Sequence, residues 1–458
     1  METRFPEVSA SEPEVLAQHL TEAGLAARAI PCWRRAGELA AARSANMEAI
    51  AHLKKGVDLI AVLPDAPEQL DEELALRLAI GGPLMETNGC AAPEVEQTYT
   101  RAWVLCDQLG RSNDLFPVLR GLWNCYLDRG EFQRCHGLAE RLVVLADEQG
   151  APIRRALARR ARGTTLFCLG RFADATVALD EGIAIDDAVA AWENPAHLLV
   201  FTERAGVVCR LYSAWALWYL GFPDHALERI ELGLAFSQGV ATHADSLAFA
   251  QNYAAILHNL RREFGAAQRR VEAAIKTAIE YGQPHWLAEA TMTRGFALAG
   301  LGHQMEGIAQ LHTGLAAWNG CGSHLLDTQW LGFIAEAHLR ADQFDDALAA
   351  LDRAAETAVA TGEYHYQAEL YRLRGALLVE TGESAEATAW LQRAIETAQG
   401  QQAKSLELRA AMSLARLWAE EGERQKAYDL LAPVYGWFTE GFDTQDLKDA
   451  KALLDGLR

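Results

Sequence analysis

Residues 159–170 read RRARGTTLFCLG, residues 291–302 read TMTRGFALAGLG, and residues 371–382 read YRLRGALLVETG. Each carries Arg-Gly, six residues, then Gly, and the last glycine is a marker that can be followed along the chain. Equivalent markers fall at Gly130, Gly170, Gly221, Arg262, Gly302, Asp342, Gly382 and Gly422. One spacing, close to 40 residues, dominates, with one longer step before Gly221. Seven positions before the marker stands a small residue: Gly163, Ala214, Ala255, Gly295, Ala335, Gly375 or Ala415. Five positions after it stands another, Ala175, Ala226, Ala267, Gly307, Ala347, Ala387 or Ala427. Four further on comes a large apolar one: Leu179, Ile230, Val271, Leu311, Leu351, Leu391 or Leu431. These offsets put small and bulky groups on one face at helical spacing, and a glycine marker supplies the left-handed residue that ends a helix cheaply. Each unit reads as helix, tight turn, helix.

A Gly-rich phosphate loop is the competing reading. It needs converging backbone amides at a helix start, usually with a lysine and a hydroxyl. No lysine follows a glycine anywhere in this chain, and the two glycines of each quoted stretch bracket a helical segment, so the repeat is one of packing.

The small residue, turn, alanine, large-apolar order resembles the tetratricopeptide repeat, whose usual period is about 34 residues. The resemblance implies an all-α, right-handed solenoid of about ten antiparallel helix pairs. Lone hairpins cannot bury enough apolar surface, so neighbours must stack. Looser pairs are expected over residues 1–110 and repeats over 111–183. A protruding loop is expected at 184–206, where the period is exceeded, then regular repeats over 207–438 and a capping helix over 439–458 with Thr444 as its N-cap.

Composition agrees with helices: half the residues are hydrophobic, and Pro is 13 of 458. A net charge of −20 disfavours phosphate backbones, which excludes nucleic acid as the expected direct partner. The amino terminus lacks a basic and apolar leader pattern, and the longest apolar run, near 212–222, is too short for a bilayer, so a soluble cytoplasmic protein with no membrane partner is expected. Eight cysteines are scattered without a CxxC pair and read as reduced core thiols. His303, His312, Cys321 and His324 match no zinc spacing; Cys125, Cys135 and His136 flank one turn, with Cys135 in the small-residue slot. No metal, cofactor or catalytic residue is assigned, since GxSxG and HExxH are also missing from the sequence.

What remains is surface. In tetratricopeptide arrays the first helix of each pair lines the concave face, and carrying that offset across implies a binding face of Arg120, Asn124, Arg160, Thr164, Trp215, Tyr219, Asn252, Asn259, Met292, Phe296, Glu336, Arg340, Arg372 and Arg416. Arginine forks with aromatic and amide groups suit a protein or peptide partner, or a small effector.

Three longer stretches sharpen the resemblance: LAQHLTEAGLAARAIPCWRRAGELAAARSANMEAIAHL, GCAAPEVEQTYTRA, and AKSLELRAAMSLARLW with VYGWFTEGFDTQDLKDAKALL. Together they resemble the carboxy-terminal helical arm of bacterial proteins that join a class III nucleotidyl cyclase to a STAND-type ATPase. That implies a non-catalytic sensor arm in signal transduction, since the cyclase and ATPase motifs are not in this sequence. The alternatives are a fragment of such a signalling enzyme lacking its catalytic domains, or the effector-binding arm of a transcriptional regulator.

Overall fold

The computed structural model describes residues 12–64, 66–189, 204–239 and 244–458. Among the described residues there is no strand, and ten helical hairpins follow an opening helix α1 (Pro13–Glu22). The first five hairpins are α2 (Ala26–Ala42) with α3 (Asn46–Ile60), α4 (Pro67–Asn88) with α5 (Pro93–Leu109), α6 (Leu115–Asp128) with α7 (Phe132–Gln149), α8 (Pro152–Cys168) with α9 (Phe172–Ala188), and α10 (Ala205–Leu220) with α11 (Pro223–Gly239). The next five are α12 (Ala244–Leu260) with α13 (Phe264–Glu280), α14 (Pro284–Gly300) with α15 (Gln304–Gly320), α16 (Asp327–Arg340) with α17 (Phe344–Thr361), α18 (Gln367–Glu380) with α19 (Ser384–Gly400), and α20 (Lys404–Glu420) with α21 (Arg424–Gly436). Helix α22 (Gln445–Leu457) closes the array.

Every marker residue has a positive φ, from 54° at Asp342 to 96° at Gly302, so the two non-glycine markers adopt the same turn as the rest. The marked alanines and large apolar residues around them are buried. Gly295 shows why the slot is small: a Cβ there would stand 2.7 Å from the Gly307 carbonyl and 2.9 Å from the Leu311 nitrogen. The close approach of α14 and α15 needs that position bare.

Two local expectations change. Helix occupies residues 184–188 and 205–206 of the interval read as a loop, and residues 190–203 lie outside the described residues. Thr444 does hold the N-cap position of α22, but its hydroxyl turns back to donate to the Gly441 carbonyl at 2.6 Å and so caps no helix amide.

The array winds back on itself, so that the third, fourth and fifth hairpins meet the segments that open the eighth, ninth and tenth, and the tenth also reaches the sixth. The His324 amide donates to the Asp128 carbonyl at 2.6 Å, and the Tyr364 and His365 amides donate to the Cys168 carbonyl at 2.9 and 3.2 Å. The Ser405 hydroxyl donates to the Trp218 carbonyl at 2.5 Å, and Arg409 donates to the Leu260 carbonyl. All four acceptors belong to the last turn of a first helix, where carbonyls lack the usual intrahelical partner, and only that of Trp218 also takes a turn amide, from Gly221 at 3.0 Å. The seam thus satisfies orphan groups with donors from the next turn of the superhelix. Near its end, Glu440 accepts from the Asp224 and His225 amides at 2.9 and 3.1 Å, while the Gly441 amide donates to Asp224 Oδ2 at 2.9 Å.

Buried at this seam is Glu363, which accepts hydrogen bonds from the Leu326 and Thr328 amides at 2.7 and 2.8 Å, at the start of α16. Burial pushes its carboxyl pKa up to about 8, against the pull of those amides.

Candidate functional site

The closed seam changes what the inner-face residues do. Arg120, Asn124, Arg160, Thr164, Trp215, Tyr219, Asn252, Asn259, Met292, Phe296 and Glu336 are all buried, and of these only Glu336 borders an open pocket. Several instead tie consecutive hairpins together. Trp215 stacks on Tyr253 with centroids 4.2 Å apart and donates its indole N–H to the Tyr253 carbonyl at 3.0 Å. Phe296 stacks on Phe333 at 3.8 Å, and Tyr219 stacks on Phe172 at 4.4 Å. The Asn252 amide donates to Glu289 at 2.9 Å, and the Asn259 amide to the Thr293 carbonyl at 2.9 Å.

The remaining three, Arg340, Arg372 and Arg416, are not buried, and with Glu336 they line one pocket of about 590 Å³. It opens where the seam ends, because the later turns at Gly302, Gly382 and Gly422 have no following hairpin against them and stand clear. The Arg262 turn forms one side, the inner faces of α16, α18 and α20 form the floor, and the first turn of α22 forms the other side.

Electrostatics dominate this pocket. Glu336 accepts from Arg340 at 2.8 Å and from Arg262. Glu369, fully buried behind the floor, accepts a fork from Arg372 at 2.8 and 2.9 Å. Asp446, in the first turn of α22, accepts from Arg409 Nε at 2.8 Å and stands 3.8 Å from Arg262 Nε. Arg262 is also 3.8 Å from Glu369, so one guanidinium bridges three helices. Burial works against the charge on Arg262, yet Glu336, Asp446 and Glu369 together hold its pKa above the ordinary value. Burial likewise opposes ionisation of Glu336, but Arg262, Arg340 and Arg372 keep it well below the usual carboxylate range.

Arg416 differs. Among the described residues it has no carboxylate within ion-pair distance; desolvation by the pocket walls lowers its pKa, Asp449 opposes this, and the like charges of Arg372 and Arg262 add to it. Apolar surface from Phe264, Leu339, Leu373 and Met412 completes the wall. Of these groups, Arg262 reads in the sequence only as an imperfect turn, and Arg409, Asp446 and Glu369 carry no repeat signal. The seven-residue spacing of Arg409 and Arg416, two turns on one helix face, was the available clue.

The metal-ligating types settle elsewhere. Cys125 and Cys135 are buried, and burial pushes the Cys125 thiol up to about 12. His312 Nε2 lies 3.2 Å from His338 Nε2, and His324 pairs with Asp327 at 2.9 Å. Among the described residues no three His, Cys, Asp or Glu side chains converge on a common point, and no helix is long and apolar enough to cross a membrane.

Comparison with known proteins agrees with this architecture. Residues 327–400 match the tetratricopeptide repeat family model. An uncharacterized protein of Rhizobium meliloti is 26% identical over 413 residues, an alignment that covers 88% of this chain and 39% of the relative. The chain therefore spans about two fifths of that relative's length. Among solved structures, a Rap protein complexed with competence and sporulation factor superposes with a TM-score of 0.55 at 12% identity, covering 84% of this chain and 100% of that one. NprR in complex with its cognate peptide NprX gives 0.53 at 14% identity, over 80% and 99%. At these identities the likeness is one of fold.

Proposed function

We propose that this chain is a non-catalytic binding arm that senses a peptide, protein segment or small effector in the pocket bounded by Arg262, α16, α18, α20 and α22. The observation that carries the reading is the closure of the superhelix: it buries most of the inner face and leaves this cleft, of a size usual for ligand sites, at the free end of the seam. The Rap protein, solved with competence and sporulation factor, and NprR, solved with its cognate peptide NprX, share the fold, and that supports a peptide as one ligand class.

The role extends to signal transduction. The resemblance to the arm of cyclase and STAND-type ATPase fusions supports it, as does a relative whose length lies mostly outside the alignment. In such a setting the arm reports occupancy and other modules act on it.

Thermal-shift screening of the full chain against peptide and metabolite libraries tests the reading. Ligands should stabilise the native protein and lose that effect in Ala376→Trp, which fills the pocket. A library without a stabilising ligand, or hits indifferent to Ala376→Trp, would refute it.

A further inference from the structure

The pocket walls hold more positive charge than the core of their ion-pair network neutralises. Arg262, Arg340, Arg372, Arg409 and Arg416 face Glu336, Glu369 and Asp446, and those three carboxylates are already engaged by the first four arginines. Two further acids line the cleft and add negative charge, but neither forms an ion pair with Arg416 among the described residues. Asp449 accepts a hydrogen bond from Gln445 at 2.7 Å, and Glu380 is exposed. Among the described residues Arg416 is the pocket arginine without an ion-pair partner, attracted by Asp449 from beyond ion-pair distance and repelled by Arg372 and Arg262, in a protein whose net charge is −20. A guanidinium in that setting is improved by any carboxylate that reaches it, because a charge-assisted fork replaces repulsion from Arg372 and Arg262.

Resting on the binding-arm reading, we propose that the pocket recognises a carboxylate-bearing ligand, its carboxylate seated on Arg416 and its apolar body against Phe264, Leu339, Leu373 and Met412. Arg416 lies two helical turns beyond Arg409 on α20, about 10 Å along the axis. The ligand therefore binds without displacing Asp446 from Arg409, and α22 stays docked. The same chemistry is offered by a free dicarboxylate and by an acidic peptide.

Calorimetric titration of the full chain separates the cases with three probes: glutarate, N-acetyl-tetraglutamate amide and N-acetyl-tetraglutamine amide. Binding of either acidic probe, weakened at least tenfold by Arg416→Gln, partly restored by Arg416→Lys and reduced by added salt, supports the proposal. Glutarate alone identifies a small acid as the source, and tetraglutamate alone a peptide. Because Arg416 makes no ion pair, the melting temperature of Arg416→Gln should match the native protein. Failure of both acidic probes, equal affinity for the glutamine peptide, or indifference to Arg416→Gln would overturn the carboxylate assignment. A tight glutamine peptide would do so while leaving the binding-arm reading intact.

Discussion

Replacing the two non-glycine markers by glycine should move stability in opposite directions. Arg262 and Asp342 both sit in the left-handed region, at φ 62° and 54°. Glycine relieves that backbone cost, worth about 1 kcal/mol at each site. Asp342 is exposed, so Asp342→Gly should gain up to that amount. Arg262→Gly also strips a guanidinium from buried Glu336 and Glu369 and from half-buried Asp446. Breaking a buried ion pair costs about 3–5 kcal/mol. The low end applies, because Glu336 keeps Arg340 at 2.8 Å and Glu369 keeps Arg372 at 2.8 Å. Net of the backbone relief, Arg262→Gly should destabilise by about 2 kcal/mol. Urea denaturation followed by circular dichroism reads both variants. If Arg262→Gly unfolds at the native midpoint or above it, the bridging role assigned to Arg262 is wrong.

Other perturbations test the seam and the hairpin interfaces. Ser405→Ala removes a buried donor to the Trp218 carbonyl, which keeps the Gly221 amide, and should cost about 0.5–1.5 kcal/mol in the same assay, with faster amide exchange at the start of α20. Gly295→Ala would drive a Cβ into the backbone of α15 and should destabilise by about 1–3 kcal/mol; Gly137→Ala, mid-helix with open space around it, should instead stabilise by roughly 0.5–1 kcal/mol. The pH dependence follows from Glu363: its carboxyl pKa is raised from 4.5 in the unfolded chain to about 8, so the folded state holds the proton more tightly and stability is lost as pH rises through that window. Glu363→Gln should flatten this fall, seen as a smaller difference between urea midpoints at pH 5 and pH 8; an unchanged slope would remove Glu363 as its source.

The hairpins were legible because their determinants are local. A small residue seven before a turn, another five after it and a bulky one four later report a single helix-to-helix contact, and all three lie within one period. Leu391 over Gly375 illustrates it: a Cβ on Gly375 would meet the Leu391 side chain at 2.6 Å. Seven such contacts in series specify the stacking, and even Arg262 and Asp342, poor residues for a left-handed turn, are carried into it by the packing on either side.

The winding of the superhelix is a different kind of property. It depends on a small rotation accumulated over five hairpins, and no single interface in the sequence states it. Consequently Trp215, Tyr219, Asn252 and Asn259 sit at the offset of a binding face yet serve as mortar between neighbouring first helices. Arg340, Arg372 and Arg416 have the same kind of offset and remain accessible only because no later hairpin follows over them. The difference between mortar and ligand wall is therefore position along the array rather than residue type. The same reasoning explains Arg262, where sequence shows a turn that ought to be glycine and the structure shows why it is not: the residue at that turn reaches across the groove to Glu336 and Asp446, and no glycine has anything to reach with.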